Sequence, residues 1–304
     1  MGFLYFLEGI RVPVLNEIML GITYLGDEIA FLVVALALIW CADKRTGYYI
    51  LSVGFLGTIT SQFMKLWFRI PRPWVLDKDF SILEQAREGA SGYSFPSGHS
   101  QSSVGTFGSI AYTTKNKILR WLCVAACVLV PFSRMYVGVH TPLDVGVGVL
   151  ISLVFIFVLK PIILGKNKKA LPIFMGVMVL IAVCYLCFVE LYPFPADIDP
   201  YNMASGIKNA YTLMGSLLGL VLVYIVDEKW LHFPTKAVWW AQILKVVFGL
   251  VIALAVKEGL KAPVEGLLGA SVGRAVRYFL LVVVAGCVWP LTFKWFSKLG
   301  AKEK

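Results

Sequence analysis

The segments KLWFRIPRP (65–73), YSFPSGHS (93–100) and SRMYVGVHTPLD (133–144) interrupt a sequence that is otherwise almost entirely apolar, and they decide how the chain is read. Two of its three histidines, His99 and His140, lie here with Lys65, Arg72 and Arg134. An ionisable group at bilayer depth is costly unless it faces a polar cavity and finds a partner. Three such groups at the ends of hydrophobic segments therefore predict one shared site.

The residue types say what that site is suited to hold. Lys65, Arg72 and Arg134 match phosphate oxygens, the arginines through a planar fork of donors and the lysine as a point charge. The Ser97 hydroxyl and the Gly98 amide add neutral donors just ahead of a helix, where unpaired N–H groups already favour an anion. His99 and His140 give and take protons near neutral pH. His140 and Asp144, at i and i+4, are expected to be neighbours on one helix face. Asp144 then holds one ring nitrogen protonated and leaves the other free for nucleophilic attack or base work. His99, with no carboxylate nearby in sequence, is left to serve as a general acid.

Taken singly, each segment has an ordinary account. A Lys and an Arg near a hydrophobic end commonly mark topology, Pro-Ser-Gly commonly opens a helix, and His and Asp four apart commonly form a local pair. Unrelated causes do not readily yield all three in this order and spacing. The set Lys-x6-Arg-Pro, Pro-Ser-Gly-His and Ser-Arg-x5-His-x3-Asp resembles the three signature motifs of the type 2 phosphatidic acid phosphatase (PAP2) superfamily. That family includes membrane lipid phosphatases, glucose-6-phosphatase and, more distantly, soluble vanadium haloperoxidases. The resemblance implies that His140 is the nucleophile and forms a phosphohistidine, that Asp144 orients it, and that His99 protonates the departing alkoxide. It makes Lys65, Arg72, Ser97, Gly98 and Arg134 the phosphate cradle, and it implies no metal and no cofactor. It is strong from about Lys65 to Asp144 and says little directly about the chain beyond Leu164.

Composition bounds the rest. With 304 residues, 59% hydrophobic, 15% charged and a mean hydropathy of +0.78, the chain is not a water-soluble globular protein. It reads as an all-α, polytopic transmembrane bundle. Its six cysteines all fall in or at the ends of apolar segments and read as packing residues, Cys184-x-x-Cys187 included. The formal charge of +10 is dispersed between hydrophobic segments, so it speaks for topology and not for nucleic acid. The expected partners are a phosphorylated lipid substrate and the lipid bilayer.

Segments of spanning length fall at about 19–41, 46–69, 99–114, 117–132, 142–164, 170–192, 205–227, 236–257 and 274–296, about nine spans. Residues 1–16 lack a basic start and a cleavage site and read as an interfacial helix, not a signal peptide. Residues 1–164 are read as the catalytic membrane domain, and residues 165–304 as a transmembrane extension whose role the sequence leaves open. With alternating spans, the Lys166–Lys169 loop and the C-terminal tail around Lys302 are expected in the cytoplasm of a cell-membrane protein. The three motifs then face outward. The long polar stretch between Pro73 and Phe95 is either a lid over the phosphate site or a solvated connector. Three functions stay open: a lipid phosphate or pyrophosphate phosphatase, a phosphatase of a soluble metabolite with the layout of glucose-6-phosphatase, and a transporter or scaffold on the same fold.

Overall fold

The computed structural model describes residues 1–299, helical with no strand among them. Lys302 and Lys304, expected in a cytoplasmic tail, lie outside the described residues. In chain order the helices are α1 (Gly2–Gly9), α2 (Pro13–Thr23), α3 (Glu28–Cys41), α4 (Lys44–Phe68), α5 (98–113), α6 (Lys117–Tyr136), α7 (Pro142–Ile163), α8 (Ala170–Leu191), α9 (Pro200–Leu231), α10 (Trp239–Leu268) and α11 (Ala270–Phe296).

Each apolar segment read from the sequence falls on a helix, but fewer than nine qualify as spans. Among the described residues, six helices are long and apolar enough to cross a bilayer, or seven if α2 and α3, bent by 51° between Gly26 and Glu28, form one. The remaining two differ for separate reasons. Helix α5 rises only about 24 Å, short of a hydrocarbon core of roughly 30 Å. Helix α4 is long enough but carries Ser52, Thr58, Ser61 and Gln62, and it buries Tyr49, Ile50, Val53, Leu56 and Ile59 within the protein. A helix enclosed by protein needs no uniformly apolar surface.

The chain gathers into two compact units, each discontinuous in sequence. The first comprises Met1–Val34, Tyr49–Pro161 and Phe194–Gly206 and contains all three motifs. The second comprises Ala35–Tyr48, Ile162–Pro193 and the chain from Ile207 onward. Within the second unit, the buried Lys245 Nζ donates to the carbonyls of Trp40 (2.7 Å) and Thr235 (3.1 Å) and lies 4.2 Å from the Phe293 ring. Lys44 Nζ meets Asp227 Oδ2 at 2.6 Å. These partners account for charges inside hydrophobic segments without invoking a ligand.

Within the first unit, local sequence sets where the motif residues stop and turn. Helix α4 ends at Arg69, whose φ of 51° is a left-handed cap, and Pro71 and Pro73 prevent its continuation. Ser97 caps α5, its Oγ accepting from the Ser100 amide at 3.3 Å. Gly138, with φ of 89°, turns the chain between α6 and α7; an added Cβ would lie 2.8 Å from Arg11 Nη2 and 3.1 Å from Phe80 and Ile82.

The stretch from Asp77 to Phe95 is a seated cover, not a loose connector. Phe80 and Ile82 pack with Leu4 of α1, and Ala86 and Ala90 pack with Met19, Leu20 and Tyr136. Its backbone is tied down by Leu83 N–H to Val137 O (3.0 Å), by Arg11 Nη1 to Ser81 O (2.9 Å) and by Ser94 N–H to Ile70 O (2.9 Å). The N-terminal segment, read as an interfacial helix, thus also holds this cover in place.

Candidate active site

Lys65, Arg72, Ser97, Arg134, His140 and Asp144 are all buried in the first unit. Lys65, Arg72 and Arg134 are 5%, 6% and 1% exposed, against one comparably buried carboxylate among the described residues of this unit, Asp144, at 1%. Burying cations in such excess is expensive without an anion to face.

The pair expected to be catalytic, His140 and Asp144, is built by a helix cap. His140 precedes α7, so it does not share a helix face with Asp144, as the i, i+4 spacing predicts. Instead Thr141 and Asp144 form a reciprocal cap: Asp144 Oδ2 accepts from the Thr141 amide at 2.8 Å, and Thr141 Oγ1 accepts from the Asp144 amide at 3.2 Å. Pro142 opens the helix, as its fixed φ favours. The cap leaves Asp144 Oδ2 3.6 Å from His140 Nδ1, too far for a direct hydrogen bond.

Ser94 fills that gap. Its hydroxyl donates to Asp144 Oδ2 at 2.7 Å and lies 3.4 Å from His140 Nδ1. Sequence reading assigned Ser94 no role, although it lies within the second motif. Because removing a hydrogen bond to a charged group costs about 1.5–3 kcal/mol, Ser94→Ala is expected to lower kcat by roughly ten- to a hundredfold with little change in KM. Steady-state kinetics on the purified variant check this; a wild-type kcat would show that the bridge is dispensable.

Arg72 Nη1 lies 2.9 Å from His140 Nε2 and 3.5 Å from its Nδ1, so the guanidinium sits against the ring. Burial first, then the charges of Arg72, Arg134 and Lys65, hold the His140 imidazole well below its ordinary pKa. The ring is therefore neutral, the form able to attack. Arg72 is pushed down to about 10, chiefly by burial, and stays cationic at neutral pH.

The expected cradle residues differ in what they already hold. Arg72 also donates to the carbonyls of Gly92 (3.1 Å), Val139 (3.0 Å) and Ser91 (2.9 Å). Lys65 Nζ donates to Tyr93 O, so both cations brace the cover segment carrying Ser94. Arg134 is different. Its Nη1 donates to Thr23 Oγ1 at 2.7 Å, while Nε and Nη2 are buried without a protein partner among the described residues. Ser97 is buried at the α5 cap, its amide donating to Asp144 O at 2.9 Å, and open space lies where a Gly98 Cβ would be. Helix α7 approaches α5 closely at Gly148, where a Cβ would sit 2.6 Å from Ser97 O, and Ser152 Oγ donates to Gln101 O at 2.5 Å.

His99 has a carboxylate partner after all: its Nε2 lies 2.7 Å from Asp27 Oδ1, at the bend between α2 and α3. This partner is distant along the chain, in a segment read as one uninterrupted span, so the sequence near His99 does not show it. Among the described residues, no group of three or more His, Cys, Asp and Glu side chains is arranged to hold a metal ion.

Comparison with known proteins bears on this arrangement. Residues 45–168 match the family described as the PAP2 superfamily, and residues 211–303 match its phosphatase transmembrane extension. The chain is 33% identical over 165 residues to phosphatidylglycerophosphatase B of Bacillus subtilis, covering 50% of this chain and 76% of the relative. It is 30% identical over 143 residues to an undecaprenyl-diphosphatase of Sulfolobus acidocaldarius, covering 47% and 68%. An undecaprenyl-diphosphatase of Bacillus subtilis is 27% identical over 147 residues, covering 47% and 72%. No solved structure matches the chain. The motif-bearing helices, the multi-span architecture and the two family matches make this chain a membrane phosphatase of the PAP2 superfamily.

Proposed function

We propose that this phosphatase hydrolyses a lipid phosphate or pyrophosphate through a phosphohistidine at His140, on the extracytoplasmic side of the cell membrane. The observation that carries the reading is Arg134: a buried guanidinium with two unpartnered nitrogens needs an acceptor, and a phosphate offers a bidentate one. Ser97 and the Gly98 amide line the same cradle, with Lys65 and Arg72 adding positive charge behind it.

The chemistry runs in two balanced steps. An incoming phosphate gives Arg72 a charged acceptor in place of the imidazole, releasing His140 Nε2. That nitrogen bonds to phosphorus while the bond to the leaving oxygen breaks, and His99 gives this oxygen a proton. Neutral His99 then takes a proton from water, which attacks phosphorus; the P–N bond breaks and inorganic phosphate leaves. Asp144 and Ser94 stabilise the Nδ1 side of His140 throughout. The donor set of cations and imidazoles supplies the charge that a metal supplies in other phosphatases, so activity is expected to persist in EDTA and to be inhibited by vanadate.

A lipid substrate is favoured over a soluble one because Tyr24, Leu25, Trp67, Phe68 and Leu143, beside the site residues in sequence, remain exposed apolar surface where an acyl or prenyl chain can lie. The named substrates of the relatives, phosphatidylglycerol phosphate and undecaprenyl diphosphate, are the first to test. Purified protein assayed in EDTA on these two, on phosphatidate and on glucose 6-phosphate is expected to prefer a lipid by kcat/KM. Preference for the sugar phosphate would overturn the lipid assignment. We propose further that residues 1–164 suffice to build the catalytic centre and that 165–304 form an accessory extension.

Sidedness rests on the Lys166–Lys169 cluster, since clustered lysines are retained in the cytoplasm. Single cysteines at Glu84 and Lys168, in a background without the native cysteines, are expected to label oppositely with an impermeant maleimide on intact cells, Glu84 reacting and Lys168 not. The reverse pattern would put the phosphate site in the cytoplasm.

A further inference from the structure

The bend between α2 and α3 supplies polar side chains to two motif residues at once. Residues Tyr24–Gly26 form one tight turn, after which Asp27 adopts an extended conformation (φ −69°, ψ 152°). Thr23 Oγ1 accepts from Arg134 Nη1 at 2.7 Å, and Asp27 Oδ1 lies 2.7 Å from His99 Nε2. Gly26 lets the turn seat on α5: a Cβ there would lie 3.1 Å from His99 Cβ and 2.8 Å from Val130 Cγ1.

An aspartate at the start of a helix ordinarily caps the amides of its own first turn. Here its carboxylate reaches across to an imidazole on another helix. The need for it follows from the charges around His99. A general acid must carry its proton before the reaction, yet burial first, then Arg134 and, less, Arg72 push the His99 imidazole down to about 4. The carboxylate at 2.7 Å opposes that shift in part, and its bond fixes the plane of the ring. Asp27 is more exposed than His99, 36% against 15%.

We propose that Asp27 is a positioning residue of the reaction, orienting the His99 imidazole and favouring its proton-bearing form for transfer to the leaving oxygen. The proposal rests on the assignment of His99 as general acid. It adds a fourth sequence element, the turn 23–27, to the three motifs.

The test uses leaving groups of unequal need for a proton. A lipid phosphate leaves as a basic alkoxide, whereas p-nitrophenyl phosphate leaves as a weakly basic phenolate. On the full-length purified protein, His99→Ala is expected to lose about 10²- to 10⁴-fold in kcat on a short-chain phosphatidate and far less on the aryl ester. Asp27→Asn is expected to repeat the pattern at smaller amplitude, about tenfold on the lipid and under about twofold on the aryl ester, with KM unchanged. Asp27→Glu should recover part of the loss, and the double variant should be no worse than His99→Ala alone. Unaltered vanadate inhibition of Asp27→Asn checks that the cradle remains folded. If His99→Ala is selective but Asp27→Asn loses equally on both substrates, or loses nothing, Asp27 does not act through His99 and the proposal fails. If His99→Ala itself loses equally on both, the acid assignment fails and this proposal with it.

Discussion

His140→Ala is expected to lower kcat by about 10⁴-fold or more, leaving only what the cradle contributes by binding and charge. The side chain is the proposed acceptor of the phosphoryl group, and no neighbour can replace it. Asp144 and Ser94 lie on its Nδ1 side, and Asp27 and Arg134 engage other atoms of the site. The variant should still fold, because the reciprocal cap of Thr141 and Asp144 that starts α7 does not involve the imidazole. Kinetics on monodisperse detergent-solubilised protein measure the loss; a residual rate within tenfold of wild type would remove His140 from the nucleophile's role.

Arg134→Lys is expected to cost about 10²- to 10³-fold in kcat/KM although the charge is kept. The guanidinium divides its work. Nη1 is anchored on Thr23, and Nε and Nη2 remain for two oxygens of one phosphoryl group. An ammonium can satisfy the threonine or an oxygen, but it cannot hold both in a fixed plane. Activity within about threefold of wild type would show that the fork is unused and that Arg134 serves only to pack α6 against the α2 turn.

The sequence made the membrane class and the three polar segments legible because both are local properties. Hydropathy accumulates along a run, and each motif carries its own residues. What it hid was whatever depends on a partner brought in from elsewhere. Asp27 sits in a stretch whose apolar neighbours make it read as continuous span, and only the bend beside Gly26 turns its carboxylate toward His99. Ser94 lay in plain view, but its bridging place exists because the helix cap holds Asp144 at 3.6 Å from the imidazole instead of in contact. The spacing of His140 and Asp144 correctly paired the residues while mistaking the device, since four positions along a helix and four positions across its cap bring side chains similarly close. The span count differs at α5, which is too short to cross a bilayer, and at α4, whose polar residues are tolerated because much of the helix is enclosed by protein.

The covalent intermediate tests the account most directly. Wild-type enzyme mixed with a substrate labelled at the transferred phosphorus and quenched in base within the first turnover should carry label. That label should be stable to alkali, labile to acid and confined to the peptide containing His140. In His99→Ala it should persist longer, because water then lacks the base that activates it. Single-turnover hydrolysis with no label on protein, or label on any other residue, would contradict the mechanism.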